Sequence, residues 1–172
     1  MNSVSGDISS LLEVGANIGL NLRALHQLLP EALLSGIEIN PDAAQTLREW
    51  LSGVDNDGWV FEGSILDWSP EKPVDLAFTK GVLIHISPDH LSVVYDKLYQ
   101  ASKRYILVSE YYNPTPMAVP YRGHSDRLFK RDFAGEMLDL YPDLKLIDYG
   151  FVYKRDPLFP LDDETWFLLE KR

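Results

Sequence analysis

Residues 13–19, EVGANIG, hold the first chemistry in this chain. An apolar run precedes them, and Ile18, Leu22, Leu25 and Leu29 follow at helical spacing, so the segment reads as strand, glycine turn, helix. That arrangement brings backbone close to a nucleotide. A dinucleotide fingerprint needs G-x-G-x-x-G, and then an acid for the ribose hydroxyls about 20 residues on. Glu38 suits the ribose role, but only Gly15 and Gly19 are present, and Asn17 replaces the central glycine. That glycine is what lets backbone approach a pyrophosphate, so a ligand without one is favoured. Asn17 is expected at positive φ, which asparagine tolerates better than other non-glycine residues.

Other chemistry-bearing residues cluster further along. His85 stands just past a strand, where an imidazole with a pKa of about 6.5 could act as general base; the alternative is a capping or core histidine. Glu110, Tyr111 and Tyr112 close another strand and could orient a hydroxyl or amine. The stretch YRGHSDR then gathers Tyr121, Arg122, His124 and Arg127, with Lys130 and Arg131 close behind, in an otherwise acidic chain. Guanidinium groups grip carboxylate and phosphate with paired bonds, which suits an anionic acceptor. The alternative is a solvated turn that offsets nearby acids. Glu13 either touches ligand or braces the glycine loop, and Glu38 is otherwise an exposed strand-end acid. Asp67, in LDWSPEKP, is either a ligand contact or turn chemistry. His26 and His90 occupy surface-compatible helical positions and are expected to be solvated.

The elements that must position these groups alternate along the chain. Strands are expected at residues 11–14, 35–39, 59–62, 74–79 and 105–110, the last apolar enough to be central. NPDAAQTLREWL starts a helix capped by Asn40 with Pro41 at its first position. SPDHLSVVYDKLYQAS starts another, with Ser87 as cap and Leu91, Val94, Tyr95 and Leu98 as its buried stripe. Residues 111–128 read as irregular, KRDFAGEMLDLY as a short helix, and residues 144–154 and 165–170 as two strands joined without a helix, hence antiparallel. The expected fold class is α/β: a doubly wound, mostly parallel, seven-stranded sheet with a C-terminal antiparallel hairpin. A single domain over residues 11–172 follows a short polar segment, residues 1–10. Ligands of such sheets bind outside the carboxyl ends of the strands near the switch in strand order, where residues 13–19, Glu38, Asp67, residues 79–85 and Glu110 belong.

Composition narrows the function classes. The chain has 172 residues, is 45% hydrophobic, and carries a net charge of −10. That is enough for one real core, and it lacks the basic balance of a duplex-binding protein, so nucleic acid is not the expected partner. There is no cysteine, which excludes disulfides, thiolate metal sites and a Cys nucleophile, and no metal is expected. No apolar run reaches the roughly 20 residues of a membrane span, and no secretory signal opens the chain. A soluble, cytoplasmic protein acting on a small molecule is expected.

The sequence resembles the class I S-adenosylmethionine (SAM) methyltransferases, whose loop reads acid-x-Gly-x-Gly-x-Gly. The resemblance runs through Glu13, Gly15, Asn17 and Gly19, then GIEIN, EGSILDW, DLAFTKGVLIHI and the final pair LKLIDYGFVYKR and TWFLLEKR, covering nearly the whole chain. It implies that the chain binds SAM, with S-adenosylhomocysteine as product. Glu38, beside Ile39, would hold the ribose, Ile65 and Leu66 would flank the adenine, and Asp67 would bond its amino group. Thr79, Lys80 and Gly81 would lie near the methyl donor. Catalytic roles would fall to His85, Glu110 and His124, and acceptor contacts to Tyr111, Tyr112, Tyr121, Arg122 and Arg127. Within that superfamily, NIGLNLRAL, GIEINPDA, FTKGVLIHI and YRGHSDRLFKRDFAGEM are most similar to methylases associated with pseudaminic acid biosynthesis, which implies a sugar or nucleotide-sugar acceptor. NPTP at residues 113–116 is similar to an amino-methyltransferase motif but follows the fifth strand, and reads as a turn.

MNSVSGDISS is too small and polar for the lid helix such enzymes carry. Either a partner or second copy supplies a lid, residues 111–131 compensate, the site stays open, or the chain is an inactive remnant. Neither O- nor N-methylation is singled out. The competing readings are a non-catalytic SAM-binding partner subunit and a nicotinamide-dependent oxidoreductase.

Overall fold

The computed structural model describes residues 8–54, 57–124 and 127–172. Its strands are β1 (Ser10–Val14), β2 (Leu33–Glu38), β3 (Val60–Glu62), β4 (Val74–Lys80), β5 (Ser102–Glu110), β6 (Met117–Ala118), β7 (Phe129–Lys130), β8 (Leu144–Val152) and β9 (Glu164–Lys171). Its helices are α1 (Leu20–Leu28), α2 (Pro41–Gly53), α3 (Leu91–Ala101) and α4 (Phe133–Leu140). A seven-stranded sheet runs in the order β3-β2-β1-β4-β5-β9-β8, and β9 alone opposes its neighbours. The order reverses between β1 and β4, so the expected switch point lies over Val14 and Thr79, which pair directly.

Apolar side chains fill both sides of the sheet, as a parallel sheet covered on two faces requires. Leu22, Leu47 and Leu51 from α1 and α2 pack with Leu11, Leu34, Leu76 and Phe78 on one face. Val94, Leu98, Phe133 and Met137 from α3 and α4 pack with Leu12, Val14, Ile106 and Val108 on the other. Asn40 caps α2 as expected, its side chain accepting from the Asp42 and Ala43 amides ahead of Pro41. No helix among the described residues is long and apolar enough to cross a membrane.

Boundaries differ from the sequence reading where local signals compete. The helix expected from Ser87 is split into a 3-10 turn at Pro88–His90 and α3, and Ser87 makes no side-chain cap bond. Ile39 lies past the end of β2 and Ile18 precedes α1, so neither belongs to its expected element. β6 and β7 form a small hairpin that bridges the stretch expected to be irregular. His26 is half-buried rather than freely solvated: its ring stands edge-on to Trp50 at 6.0 Å, with Nδ1 buried. Helix α1 leans on α2 there, and sequence spacing alone does not report the neighbour. Residues 1–7 of the polar N-terminal segment lie outside the described residues, and Ile8, Ser9 and Ser10 already belong to the fold.

Asp75 anchors that entry to the sheet. Its Oδ2 accepts from Ser9 N (2.9 Å), Ser9 Oγ (2.6 Å) and Ser10 Oγ (3.0 Å). Partial burial alone would raise its carboxyl, but the serine donors and Lys103 outweigh that and hold it at about 2. A depressed carboxyl contributes stability above its unfolded value and loses it as pH falls through the folded one. Asp75→Ala should therefore cost about 1–2 kcal/mol in urea unfolding at pH 7, discounted for partial exposure. The difference from wild type should vanish near pH 2; an equal difference at both pH values would exclude this role.

Candidate active site

The glycine loop spends its amides on itself. Gly15 N and Ala16 N donate to Ile37 O at 2.8 and 3.0 Å, and Gly19 N donates to Ala16 O at 2.9 Å. Asn17 N donates to Glu38 Oε2 at 2.7 Å, and Ile18 N to the Asn17 side-chain oxygen at 2.8 Å. Every N–H from Gly15 to Gly19 thus has an internal partner. Asn17 does adopt positive φ, at 50°, as its replacement of glycine required. Gly15 and Gly19 have φ of 73° and 82°, and a Cβ on Gly15 would collide with the Val82 side chain.

Acids line the carboxyl edge of the sheet. Glu38, 7% exposed, bonds Asn17 N through one oxygen and Asn40 N through the other, at 2.7 Å each, tying the loop to the start of α2. Glu13 is only 1% exposed. Its Oε1 accepts from Asn21 Nδ2 at 2.6 Å, while Oε2 is buried without a partner. Burial pushes this carboxyl up to about 8, against the opposing pull of Asn21 and Lys80. Lys80 Nζ pairs with Glu164 at 2.7 Å, and Glu164 also accepts from Ser109 Oγ.

Glu110, 2% exposed, holds the turn after β4. Its carboxylate accepts from Val82 N and Leu83 N at 3.0 Å and from Ile84 N at 3.3 Å. Burial raises it to about 7, and the Leu83 and Val82 amides pull it back. This turn, Leu83–His85, presents His85. His85 Nδ1 lies 2.8 Å from Arg127 O. A carbonyl only accepts, so Nδ1 carries the hydrogen and the neutral ring keeps its Nε2 lone pair free.

His85 lines two cavities. One of about 220 Å³ is also bordered by Lys80, Gly81, Glu110, Tyr111 and Glu164. The other, about 570 Å³, is bordered by Tyr121, Arg122, His124, Arg127 and Phe129. Tyr121 and His124 exchange backbone bonds around Arg122 (φ 49°) and Gly123 (φ 84°), a tight turn that aims this group, with Arg122 lying 5.2 Å over the Tyr121 ring. Ser125 and Asp126 of the same stretch lie outside the described residues.

Other expected site residues are more scattered. Tyr112 packs on Phe167 at 5.7 Å and borders neither cavity. Asp67 is exposed and borders a separate cleft with Trp59, Phe61 and Trp68. Ile65 is buried in the core, Leu66 packs partly buried against it, and Thr79 is fully enclosed. Ile39 is 69% exposed beside Glu38, a bare aliphatic surface. Asp162 and Glu164, which border the smaller cavity, were missed by sequence reasoning. The signal was available: an antiparallel β9 must begin beside the end of β5, so the turn-rich stretch before it overhangs Glu110.

The raised Glu13 carboxyl has a stability consequence. The folded chain holds that proton above 4.5, where the unfolded chain releases it, so the stabilisation is complete below 4.5 and is lost as pH rises through about 8. Each pKa unit is worth about 1.4 kcal/mol. Glu13→Gln should leave the Tm at pH 5 nearly unchanged and raise it by several degrees at pH 8.5. A Tm offset of the same size at both pH values would rule out ionisation of Glu13 as the cause.

No family model matches the chain, nor does any curated protein. Solved structures do. A 1,6-didemethyltoxoflavin-N1-methyltransferase of Burkholderia thailandensis, with bound S-adenosylhomocysteine, superposes with a TM-score of 0.74 at 15% identity, over 96% of this chain and 72% of that one. The magnesium protoporphyrin IX methyltransferase of Synechocystis PCC 6803, with bound SAM, gives 0.68 at 13%, over 94% and 69%. A SAM-dependent methyltransferase of Methanosarcina mazei gives 0.69 at 12%, over 99% and 95%. At such identities the likeness concerns architecture, and the chain has the Rossmann-like, seven-stranded fold seen in these methyltransferases.

Proposed function

We propose that the chain is a SAM-dependent methyltransferase acting on an oxygen or nitrogen of a small anionic acceptor, such as a sugar or nucleotide sugar. One observation carries the ligand class. A pyrophosphate needs free amides, yet every N–H from Gly15 to Gly19 is internally bonded, and the surrounding edge is acidic. That edge suits a cation instead. Giving up its proton on binding, Glu13 would offer its buried, unpartnered Oε2 to an ammonium group. The bound cofactors of the toxoflavin and protoporphyrin enzymes support the same reading.

In this reading Gly15, Asn17 and Gly19 shape the loop, and Glu38 keeps spare lone pairs for ribose hydroxyls. Ile39 and Asp67 flank the base with Leu66 and the buried Ile65 behind them, while Lys80 and Gly81 border the reacting end and the enclosed Thr79 supports them. SAM, when bound, supplies a methyl group made electrophilic by its sulfonium. The protein's part is alignment, the main source of acceleration for such a transfer. His85, with Nδ1–H fixed on Arg127 O, offers Nε2 as proton acceptor to an acceptor hydroxyl. Glu110, saturated with amide donors, acts by holding the His85 turn. Arg122, Arg127 and His124 attract the acceptor's anion, while Tyr111 and Tyr121 give its ring flat surfaces.

Calorimetry should detect binding of S-adenosylhomocysteine and none of NAD; heat with NAD alone would end this reading. Glu38→Ala should weaken S-adenosylhomocysteine binding by about 1–3 kcal/mol. With radiolabelled SAM and a panel of nucleotide sugars, Arg122→Ala and Arg127→Ala should raise acceptor KM about tenfold, a charge-assisted bond being worth about 1.5–3 kcal/mol, with cofactor affinity unchanged. Loss of thermal stability with an unchanged acceptor KM would mean that these arginines only order their loop.

A further inference from the structure

The connection from β3 to β4 joins parallel strands without a helix. Such a crossover usually gains its rigidity, and bonds for its carbonyls, from a helix. Here the chain is pinned at a few points. Ser64 O accepts from Asp67 N at 2.9 Å and Trp68 N at 3.2 Å. Ile65 and Trp68 are buried, and Trp68 stacks on Trp59 at 5.8 Å. These contacts bind the loop to its own strand and to the core.

One side chain reaches it from across the fold. Lys97, half-buried on α3, donates from Nζ to Leu66 O at 2.6 Å and also to Trp68 O. Those two carbonyls flank Asp67. A cation bonded to both fixes the Leu66–Asp67 and Trp68–Ser69 peptide planes, which bracket the Asp67–Trp68 segment, and charge assistance makes both bonds strong. No such anchor is needed for α3 itself, whose Leu91, Val94, Tyr95 and Leu98 already pack in the core.

We infer that Lys97 is a positioning residue for base recognition: by gripping the carbonyls on both sides of Asp67, it sets the loop that reads the adenine amino group. This rests on the SAM reading above. Lys97 itself does not touch the ligand. Its loss should appear as relaxed choice between bases more than as loss of the fold.

The test compares S-adenosylhomocysteine with S-inosylhomocysteine, which lacks the amino group, by calorimetry. Wild type should prefer the adenine ligand at least tenfold. Lys97→Met should bring that preference to within threefold, and Lys97→Arg, which keeps donors for both carbonyls, should restore part of it. Failure of wild type to bind either ligand overturns the SAM reading and this inference together. Binding without preference in wild type, or a preference unchanged in Lys97→Met, overturns this inference alone. If Lys97→Met does not fold, amide exchange in wild type decides: the Asp67 and Trp68 amides must slow when S-adenosylhomocysteine is added, and unchanged exchange overturns the inference.

Discussion

A carboxylate taken out of water must be bonded, paired or protonated, and the carboxyl edge of this sheet buries four of them: Glu13, Glu38, Glu110 and Glu164. Much of the local structure is the set of answers. Glu38 is met by two backbone amides from different elements, which fixes the glycine loop against α2. Glu110 is met by three amides of one turn, which fixes the turn. Glu164 is met by Lys80 and Ser109, which joins β9 to β4 and β5. Glu13 is only half answered, and its carboxyl rises accordingly.

These answers make a graded surface. From β2 to β5 the edge is lined by acidic side chains, with Glu13 holding its proton at neutral pH and the loop amides already consumed, so it offers little to a phosphate. Beyond β5 the sign changes: Arg122 and Arg127 border the larger cavity, and His85 stands where the two regions meet. On the function proposed above, a cationic donor and an anionic acceptor would therefore meet at adjacent places. That matches what a group transfer needs from a scaffold, since binding each reactant beside the other removes most of the entropic barrier.

The sequence by itself determined the α/β alternation, because strands buried on both faces read as continuous apolar runs and amphipathic helices do not. It also determined the turn at Asn17, since the positive φ and the residue type constrain each other locally. The acids Glu13, Glu38 and Glu110 could be placed at the carboxyl edge of the sheet because the strand ends beside the switch point must lie there. Apart from the local Asn40 amide on Glu38, which groups answer those acids was decided by tertiary structure. The amides of Asn17 and of Val82 to Ile84 come from segments 21 to 28 residues away in sequence, and no periodicity encodes such meetings. Asp162 and Glu164 reach the site because β9 runs antiparallel, and Lys97 reaches the β3–β4 connection because α3 packs beneath it. His26 was misread for the same reason. Spacing reports which face of an element is apolar, but what stands opposite that face is fixed by packing, which sequence states only through the whole chain at once.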